Sequence, residues 1–369
     1  MNVNSIHTAI LDPVGVKAGM DQYDMRLATA LQLQGVNVSI LSNFNGNGVV
    51  KFFSSSVVAG LFSYLQLIFA YRKAIEFCDA NTVKQAILHV FGFTRTDRWV
   101  ISQFQRRGIR VVLIVHDVES FVYKNTMDRT RAILLQCKDS IIVHHKSAAA
   151  EIRRLVGNDV PVNVLPHGHF ISEQPVVYEK RMAREKLGIP ISGFCPLFFG
   201  MIKPTKGLSV LLDAMELVGS NYHVLVAGRP RGDVRSQLEG LVKLQKKGRA
   251  TFSIGYITED EMELWFLAAD CIVLPYERIY QSGVALQAMS RKVPVLMSDL
   301  PAHAEWHHAG ADATLFQAGD SVDLALKLQW MQHNLVEIAQ RADRAYQHLV
   351  KYHDWKILAS GIVNLSAVG

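Results

Sequence analysis

An alternation that runs through the chain twice does most to constrain its fold. Short apolar, β-branched runs alternate with stretches of helical periodicity. The runs are HTAIL, VNVSILSN, AILHVFG, RVVLIVHDV, DSIIVHH and VNVLPHG in the first half, then CPLFFG, HVLVAG, ATFSIGY, CIVLPY and VPVLMSD in the second. Continuous apolar runs of this length, closed by Gly, Pro, Asp or His, suit strands buried on both faces. Strand and helix in repeated order predict parallel sheets with helices on both sides. A chain of 369 residues exceeds one ordinary core. The expected fold class is therefore α/β, with two doubly wound Rossmann-like domains facing across a cleft. The boundaries read as an N-terminal domain over 1–172, a linker over 173–190 with Pro175 and Pro190, and a C-terminal domain over 191–345. A tail over 346–369 contains the helical pattern YHDWKILASGIVNL and is expected to cross back to the first domain. In such sheets ligands bind outside the carboxyl ends of the strands, where the strand order reverses.

Composition narrows the class of partner. Hydrophobic residues make up 49% of the chain, enough for a sizeable core. The formal net charge is +6, and residues 1–175 hold 18 Lys+Arg against 13 Asp+Glu. A basic first half suits an anionic membrane or a phosphorylated substrate. No run of five basic residues occurs, so nucleic acid is not expected as a partner. The four cysteines are far apart and form no metal-ligand spacing, as in a reduced, cytoplasmic protein. The N-terminus lacks the basic and apolar regions of a signal peptide. The segment VVAGLFSYLQLIFAYRKAI, residues 57–75, has three readings: a core-facing helix, an interfacial helix ending on Arg72 and Lys73, or, least favoured on length, a membrane span.

Two loops carry the chemistry. In FFGMIKPTKGLSV a strand ends at Gly200, Lys203 and Lys206 occupy the loop, and Gly207 opens the next helix. Fixed cations and amides at a helix N-terminus suit a pyrophosphate, although a lysine-rich surface loop would look the same. In PYERIYQSGVALQAMS, Gln281, Ser282 and Gly283 stand before another helix. Gly283 permits close approach of a ligand, and Ser282 offers a helix cap or a hydrogen bond to phosphate. Arg229 follows a strand-ending glycine and reads equally as a phosphate contact or a solvent-facing residue.

Taken in order, FFGMIKPTKG, HVLVAG, GYITEDEMELWFLAADCIVLPY, SGVALQAMSRKVPVLMSD and YHDW resemble the GT-B-fold nucleotide-sugar glycosyltransferases, and DPVGVKAGMDQYDMRLATALQLQGVNVSIL, VHD and VLPHG extend the likeness into the first half. The resemblance implies a nucleoside diphosphate-sugar donor held by the C-terminal domain at Gly200, Lys203, Lys206, Gly207, Arg229, Gln281, Ser282, Gly283 and Gln287. It implies an acceptor held by the N-terminal domain, with Ala18, Gly19 and His167 lining the cleft. Asp21, His116 and Asp117 are the candidate catalytic residues, His116 matching a histidine placed near the transferred sugar. The chain departs from the family pattern at two places where glutamates are usual, here Ile279 and Gln287, and Met201 stands where an arginine follows Gly200. PYERIYQSG and PHGHF are similar to a branch that builds bacterial exopolysaccharide on lipid carriers, including mannosyltransferases.

These residues imply transfer of a sugar, from GDP-mannose or a UDP-sugar, to a glycan or polyprenyl-diphosphate-linked acceptor, at the inner face of the cytoplasmic membrane through peripheral contact. Lysines and amides suffice to stabilise a departing diphosphate. No Asp-x-Asp occurs and Asp117-x-Glu119 is read as incidental, so neither a metal nor a cofactor is expected. An inverting reaction needs a general base from Asp21, His116, Asp117 or His167, whereas in a retaining one the leaving phosphate takes the proton. Asp21 as a helix cap, Asp117 in a turn and His167 shaping its loop are the plainer roles; His144 and His145 are read as structural. A non-catalytic nucleotide-sugar-binding subunit and a sugar-nucleotide epimerase of the same fold are the alternatives.

Overall fold

The computed structural model describes residues 6–13, 15, 20–52, 61–91, 94–118, 127–172, 179–279 and 281–367. The chain divides into two compact units, residues 1–168 with 352–369, and residues 169–351. The first contains β1 (His7–Leu11), α1 (Met20–Gln32), β2 (Asn37–Ser42), β3 (Val49–Lys51), α2 (Leu61–Ala80), β4 (Gln85–Val90), α3 (Arg95–Arg106), β5 (Arg110–Val115), α4 (Met127–Gln136), β6 (Ser140–Val143), α5 (Lys146–Val156) and β7 (Val162–Val164). The second contains α6 (Lys180–Leu187), β8 (Pro196–Phe199), α7 (Leu208–Leu217), β9 (Val224–Gly228), α8 (Arg235–Lys246), β10 (Ala250–Ile254), α9 (Glu259–Ala268), β11 (Cys271–Leu274), α10 (Gly283–Ser290), β12 (Val295–Ser298), α11 (Pro301–His308), β13 (Thr314–Phe316), α12 (Ser321–His333) and α13 (Leu335–Tyr352). A last helix, α14 (Trp355–Ala367), belongs to the first unit.

Each unit is built on one parallel sheet. The strand orders are β3-β2-β1-β4-β5-β6-β7 and β10-β9-β8-β11-β12-β13. In both sheets the order reverses once, between β1 and β4 and between β8 and β11. There the connections leave to opposite faces and open a crevice at the strand ends. The sheets are dry because their strands are largely apolar: β4, β6, β9 and β11 are buried at every position, the polar Gln85, His89 and Ser140 included. The α1 face of the first sheet packs Tyr23, Leu27 and Leu31 with Ile10, Ile87 and Val112, and α14 adds Trp355, Leu358, Ala359 and Ile362 to that core.

The interval 173–190, read from sequence as a linker, holds α6 from Lys180 onward. Arg184 explains this helix. It is buried, donates to the carbonyls of Ala268 at 3.0 Å and Ile191 at 2.9 Å, and pairs with Asp270 at 2.7 Å. A polar sequence here does not mean solvation, because the guanidinium spends its donors inside the second unit. Residues 173–178 lie outside the described residues, as do Ala18 and Gly19 and the first part of the 57–75 segment. The described part of that segment is α2, whose Tyr71, Ala74, Ile75 and Cys78 are buried while Leu65 and Phe69 are exposed. Among the described residues no helix is long and apolar enough to cross a membrane.

Arg184→Ala leaves the Asp270 carboxylate and two carbonyls without their donor, and is expected to cost about 3 kcal/mol of stability. Urea unfolding of the variant beside the parent measures it.

Candidate functional site

In the second unit the loops after β8 and β11 are joined by backbone. The β8 loop first runs beside the β9 loop: Ile202 donates to the Arg229 carbonyl at 2.8 Å, and Arg231 donates back to Ile202 at 2.8 Å. Gly228 makes this approach possible, since a Cβ there would sit 1.6 Å from the Gly200 carbonyl oxygen. A 3-10 turn, Pro204–Lys206, then presses onto the end of β11. Gly207 has φ +64° and a Cβ on it would lie 1.7 Å from the Pro275 carbonyl oxygen, so only glycine fits. Glu277 donates its amide to the Thr205 carbonyl at 3.0 Å. The two loops therefore form one edge at the reversal point.

That edge gathers the predicted donor residues. Lys203 starts the 3-10 turn and Lys206 ends it, with the Lys206 ammonium 3.5 Å from the centroid of the Tyr276 ring. A cation held on an aromatic face keeps its charge at a fixed place. Ser282 is the N-cap of α10; its hydroxyl accepts from the Ala285 amide at 3.2 Å and is 3% exposed. The hydroxyl thus serves as helix cap, the plainer of its two readings. Gly283 follows at the first turn of α10, where a Cβ would meet no atom within 4 Å. An open helix N-terminus beside two lysines has the elements of an anion site. Arg229 is exposed on the adjoining loop and Gln281 is half-buried before the cap.

The departures from the usual pattern have definite surroundings. Ile279 packs against the apolar core of the unit. The Gln287 side-chain carbonyl accepts from Arg291, which also forks onto Glu263. His303 is a site neighbour that the sequence did not single out. It donates Nδ1 to the Ser298 carbonyl at 2.8 Å, which leaves Nε2 buried with no partner among the described residues. Burial, with the Lys206 charge nearby, pushes its imidazole down to about 4.

In the first unit the reversal point holds a buried polar column around Tyr23. The Tyr23 ring meets His89, His116, His144, His167 and Trp355 edge-on or tilted, at centroid separations of 4.8–6.0 Å. His144 donates to the Leu165 carbonyl at 2.8 Å, so its Nε2 accepts from the Tyr23 hydroxyl at 3.2 Å. His116 follows β5, stacks on Phe91 at 4.6 Å and meets His89 at 2.9 Å. His89 lies 2.9 Å from Asp24 through its other nitrogen, and both side chains are 0% exposed. Asp12, at the end of β1, accepts from the Gly15 amide at 2.8 Å. His167 sits in its own loop, 2.6 Å from the Gly168 carbonyl through Nδ1. Asp21 occupies the first turn of α1, and Asp117 follows His116, half-buried. Asp12, Asp24 and His89 escaped sequence reading; the only signals were an aspartate closing a strand and a histidine inside an apolar one.

Burial sets the protonation of this column. His89 and His144 are pushed down to about 4, and His167 well below the ordinary imidazole range. Asp24 is pushed up to about 8, by burial first and by Asp21 to a lesser degree, with a hydrogen bond to Asp12 opposing. The folded histidines bind fewer protons than unfolded ones as pH falls from 6.5 towards 4, so their stability is lost over that window. Asp24 acts oppositely: its contribution is complete below the ordinary carboxyl range and is lost as pH rises through about 8. Three imidazoles outweigh one carboxyl below 6.5. The thermal midpoint is therefore expected to fall on acidification from pH 6.5 to 4, as followed by scanning calorimetry. A second expectation concerns Gly283: Gly283→Ala, which meets no neighbour and removes a flexible residue from a helix, leaves the thermal midpoint unchanged or raises it slightly.

Comparison with known proteins follows the same division. Residues 195–334 match the model of "Glycosyl transferases group 1", and residues 92–163 match "Glucosyltransferase 3-like, N-terminal domain". Phosphatidyl-myo-inositol mannosyltransferase of Mycobacterium leprae is 32% identical over 191 residues, covering 50% of this chain and 49% of that protein. GDP-mannose:glycolipid 4-beta-D-mannosyltransferase of Xanthomonas campestris is 30% identical over 133 residues, covering 35% of each chain. The matches thus span half or less of the length of these curated relatives. The structure of Anabaena HepE in complex with UDP and glucose superposes with a TM-score of 0.80 at 15% identity, covering 99% of this chain and 100% of that one, which establishes a common fold.

Proposed function

Because this chain belongs to the GT-B-fold group 1 glycosyl transferases, we propose that it transfers a hexose from a nucleoside diphosphate-sugar to a glycan or lipid-linked acceptor. The observation that carries this reading is the joined edge at the β8/β11 reversal. There Lys203 and Lys206 stand on one of the joined loops, with Lys206 held over Tyr276, and the other loop leads into the open N-terminus of α10 at Gly283. A diphosphate leaving group develops charge as the glycosidic bond breaks. The Lys206 ammonium held over Tyr276, the Lys203 ammonium and the α10 amides are the groups proposed to stabilise that charge. His116 of the first unit is the group assigned to hydrogen-bond the transferred sugar. No group of three or more His, Cys, Asp or Glu that could hold a metal ion occurs among the described residues.

GDP-mannose is the donor we favour. Two curated relatives are mannosyltransferases by name, and one of them names GDP-mannose. UDP-sugars are the second choice, since the HepE structure contains UDP. A lipid-linked acceptor is supported by two features of the first unit. A groove of about 610 Å³ between α3 and α4 is lined by Arg95, Arg98, Trp99 and Arg106, and suits anionic headgroups. On α2, Leu65 and Phe69 expose apolar surface one turn apart. Both favour peripheral contact with an anionic membrane at the cytoplasmic face.

One observation favours the alternative of a binding subunit without turnover. The two family carboxylates are replaced by a core-packed isoleucine, Ile279, and by Gln287, whose oxygen is held by Arg291. Calorimetric titration of GDP-mannose and UDP-glucose, followed by product analysis with a polyprenyl-diphosphate-sugar acceptor, separates the two readings. Transfer is expected; binding without transfer to any acceptor selects the subunit. The double variant Lys203→Ala/Lys206→Ala is expected to weaken donor binding at least about 30-fold, from the loss of two charge-assisted contacts. Gly283→Val, which puts a branched side chain where even a Cβ has open space before α10, weakens it comparably. Unchanged affinity in both variants overturns the assignment of the diphosphate to this edge.

A further inference from the structure

One flank of α3 carries charge that the described chain leaves unanswered. Thr96, Val100, Ile101 and Phe104 are buried, and the capping box of Thr94 and Asp97 fixes where the helix starts. Helical spacing then sets Arg95, Arg98, Trp99 and Arg106 along one side, where they line the groove against Leu135 and Gln136 of α4. A second hollow of about 470 Å³ shares Arg95 and Arg98 and adds Asp128 and Arg129. Two amides fix the spacing of the helices: Gln105 donates to the Gln136 carbonyl at 2.9 Å, and the Gln136 side chain donates to the Arg98 carbonyl at 3.2 Å. The groove is therefore formed before any ligand arrives.

Four guanidinium groups thus line these hollows beside one carboxylate. Arg95, Arg98, Arg106 and Arg129 make no ion pair or side-chain hydrogen bond with any described residue. Arg107, one position further on, does pair, with Asp79 at 2.9 Å. Asp97 spends an oxygen on the Thr94 amide and hydroxyl. Like charges on two neighbouring helices repel, and an anion between them removes that cost. The guanidinium fork matches the oxygens of a phosphate two at a time. The adjoining surface indicates where the phosphate comes from. The connections from β3 to β4 and from β4 to β5 step the same way along the sheet, so right-handed crossovers put α2 and α3 on one face. The two helices pack together, and α2 exposes Leu65 and Phe69. Apolar side chains beside arginines, with the half-buried Trp99 in the groove, suit the boundary between acyl chains and headgroups. A phosphate in solution has no use for that apolar neighbour.

We propose that the α3/α4 groove is a site for one phosphate headgroup of a membrane lipid, forked by Arg95 and Arg98 and flanked by Arg106 and Arg129, which seats the first unit on an anionic membrane by its α2–α3–α4 face. This is more than the attraction of a basic surface. A diffuse field accepts lysine at these positions as well as arginine, whereas a headgroup held by forks does not. The site stands on the geometry of the first unit alone; its service in bringing the protein to a lipid-linked acceptor rests on the function proposed above.

Cosedimentation of the full chain with vesicles tests this. Vesicles of phosphatidylcholine mixed with phosphatidylglycerol are expected to bind it and vesicles of phosphatidylcholine alone are not; equal binding to both overturns the proposal. Arg95→Gln/Arg98→Gln, at exposed helix positions, lowers affinity for the mixed vesicles roughly 30-fold, at about fivefold per arginine near an anionic surface. Arg95→Lys/Arg98→Lys keeps both charges and still loses at least about fivefold. Parent-like binding by the lysine variant reduces the groove to a diffuse field and overturns the headgroup site. Trp99 reports from inside the groove: monomeric dihexanoyl phosphatidylglycerol is expected to shift the tryptophan emission to the blue, and Trp99→Phe to abolish the shift. A shift that survives Trp99→Phe, or no shift in the parent, overturns the groove as the place of binding. A shift of the same size with inorganic phosphate overturns the lipid as its source. Donor affinity in both arginine variants matches the parent, and its loss there overturns the separation of the two sites. Vesicle binding of this kind in a protein that neither binds nor transfers a sugar removes the proposed function and leaves the headgroup site standing.

Discussion

The contact between Gly207 and the Pro275 carbonyl holds the second unit's site together. The strands β8 and β11 would lie side by side in any sheet of this order, but their loops need not touch. Here a 3-10 turn is driven against the end of the neighbouring strand, close enough that any side chain at 207 is excluded. The Glu277 amide closes the joint on the Thr205 carbonyl. Lys206 is then placed over Tyr276, itself fully buried, and α10 starts beside it. Loop residues acquire the rigidity of the sheet, and a charge on the end of a long side chain gains a defined position.

The first unit solves a different problem. It encloses two aspartates, four histidines and a tyrosine at its own reversal point, where an apolar core would be simpler. Each polar group there costs free energy unless it finds a partner. The column meets that requirement in part with the Tyr23–His144 and His89–His116 contacts, and burial neutralises Asp24 and His89, whose remaining polar atoms make no well-directed hydrogen bond among the described residues. Burial keeps His89, His144 and His167 neutral and the Asp24 carboxyl protonated, so little net charge from them enters the interior.

The sheets were legible in the sequence because their strands are apolar on both faces and their helices are not. The donor loop was legible for the same reason, since glycines and lysines at strand ends stand out against Val, Leu and Phe. What stayed hidden depends on distant neighbours. Asp24 reads as one more polar residue on an amphipathic helix, and only the β4 strand beside it reveals a partner in His89. The polar run around Arg184 reads as a linker because two of its partners, the Ala268 carbonyl and the Asp270 carboxylate, lie 84 and 86 residues onward. Ser282 showed both of its uses equally well in sequence; the geometry assigns its hydroxyl to the helix. Ile279 was visible as a departure, and its packing against the core gives that departure a structural role.

The return of α14 has a bearing on how the molecule is made. Trp355 presses so closely on the backbone at 168 that a Cβ on Gly168 would lie 2.1 Å from the indole, and Leu358, Ala359 and Ile362 complete the core begun by Ile10. The first half to leave the ribosome therefore lacks one of its walls until residues 355–367 have been synthesised. The second unit, continuous from 169 to 351, has every strand and helix it needs earlier. Vectorial synthesis thus inverts the order of assembly: the half translated later is the first able to close, and the half translated first waits for α14.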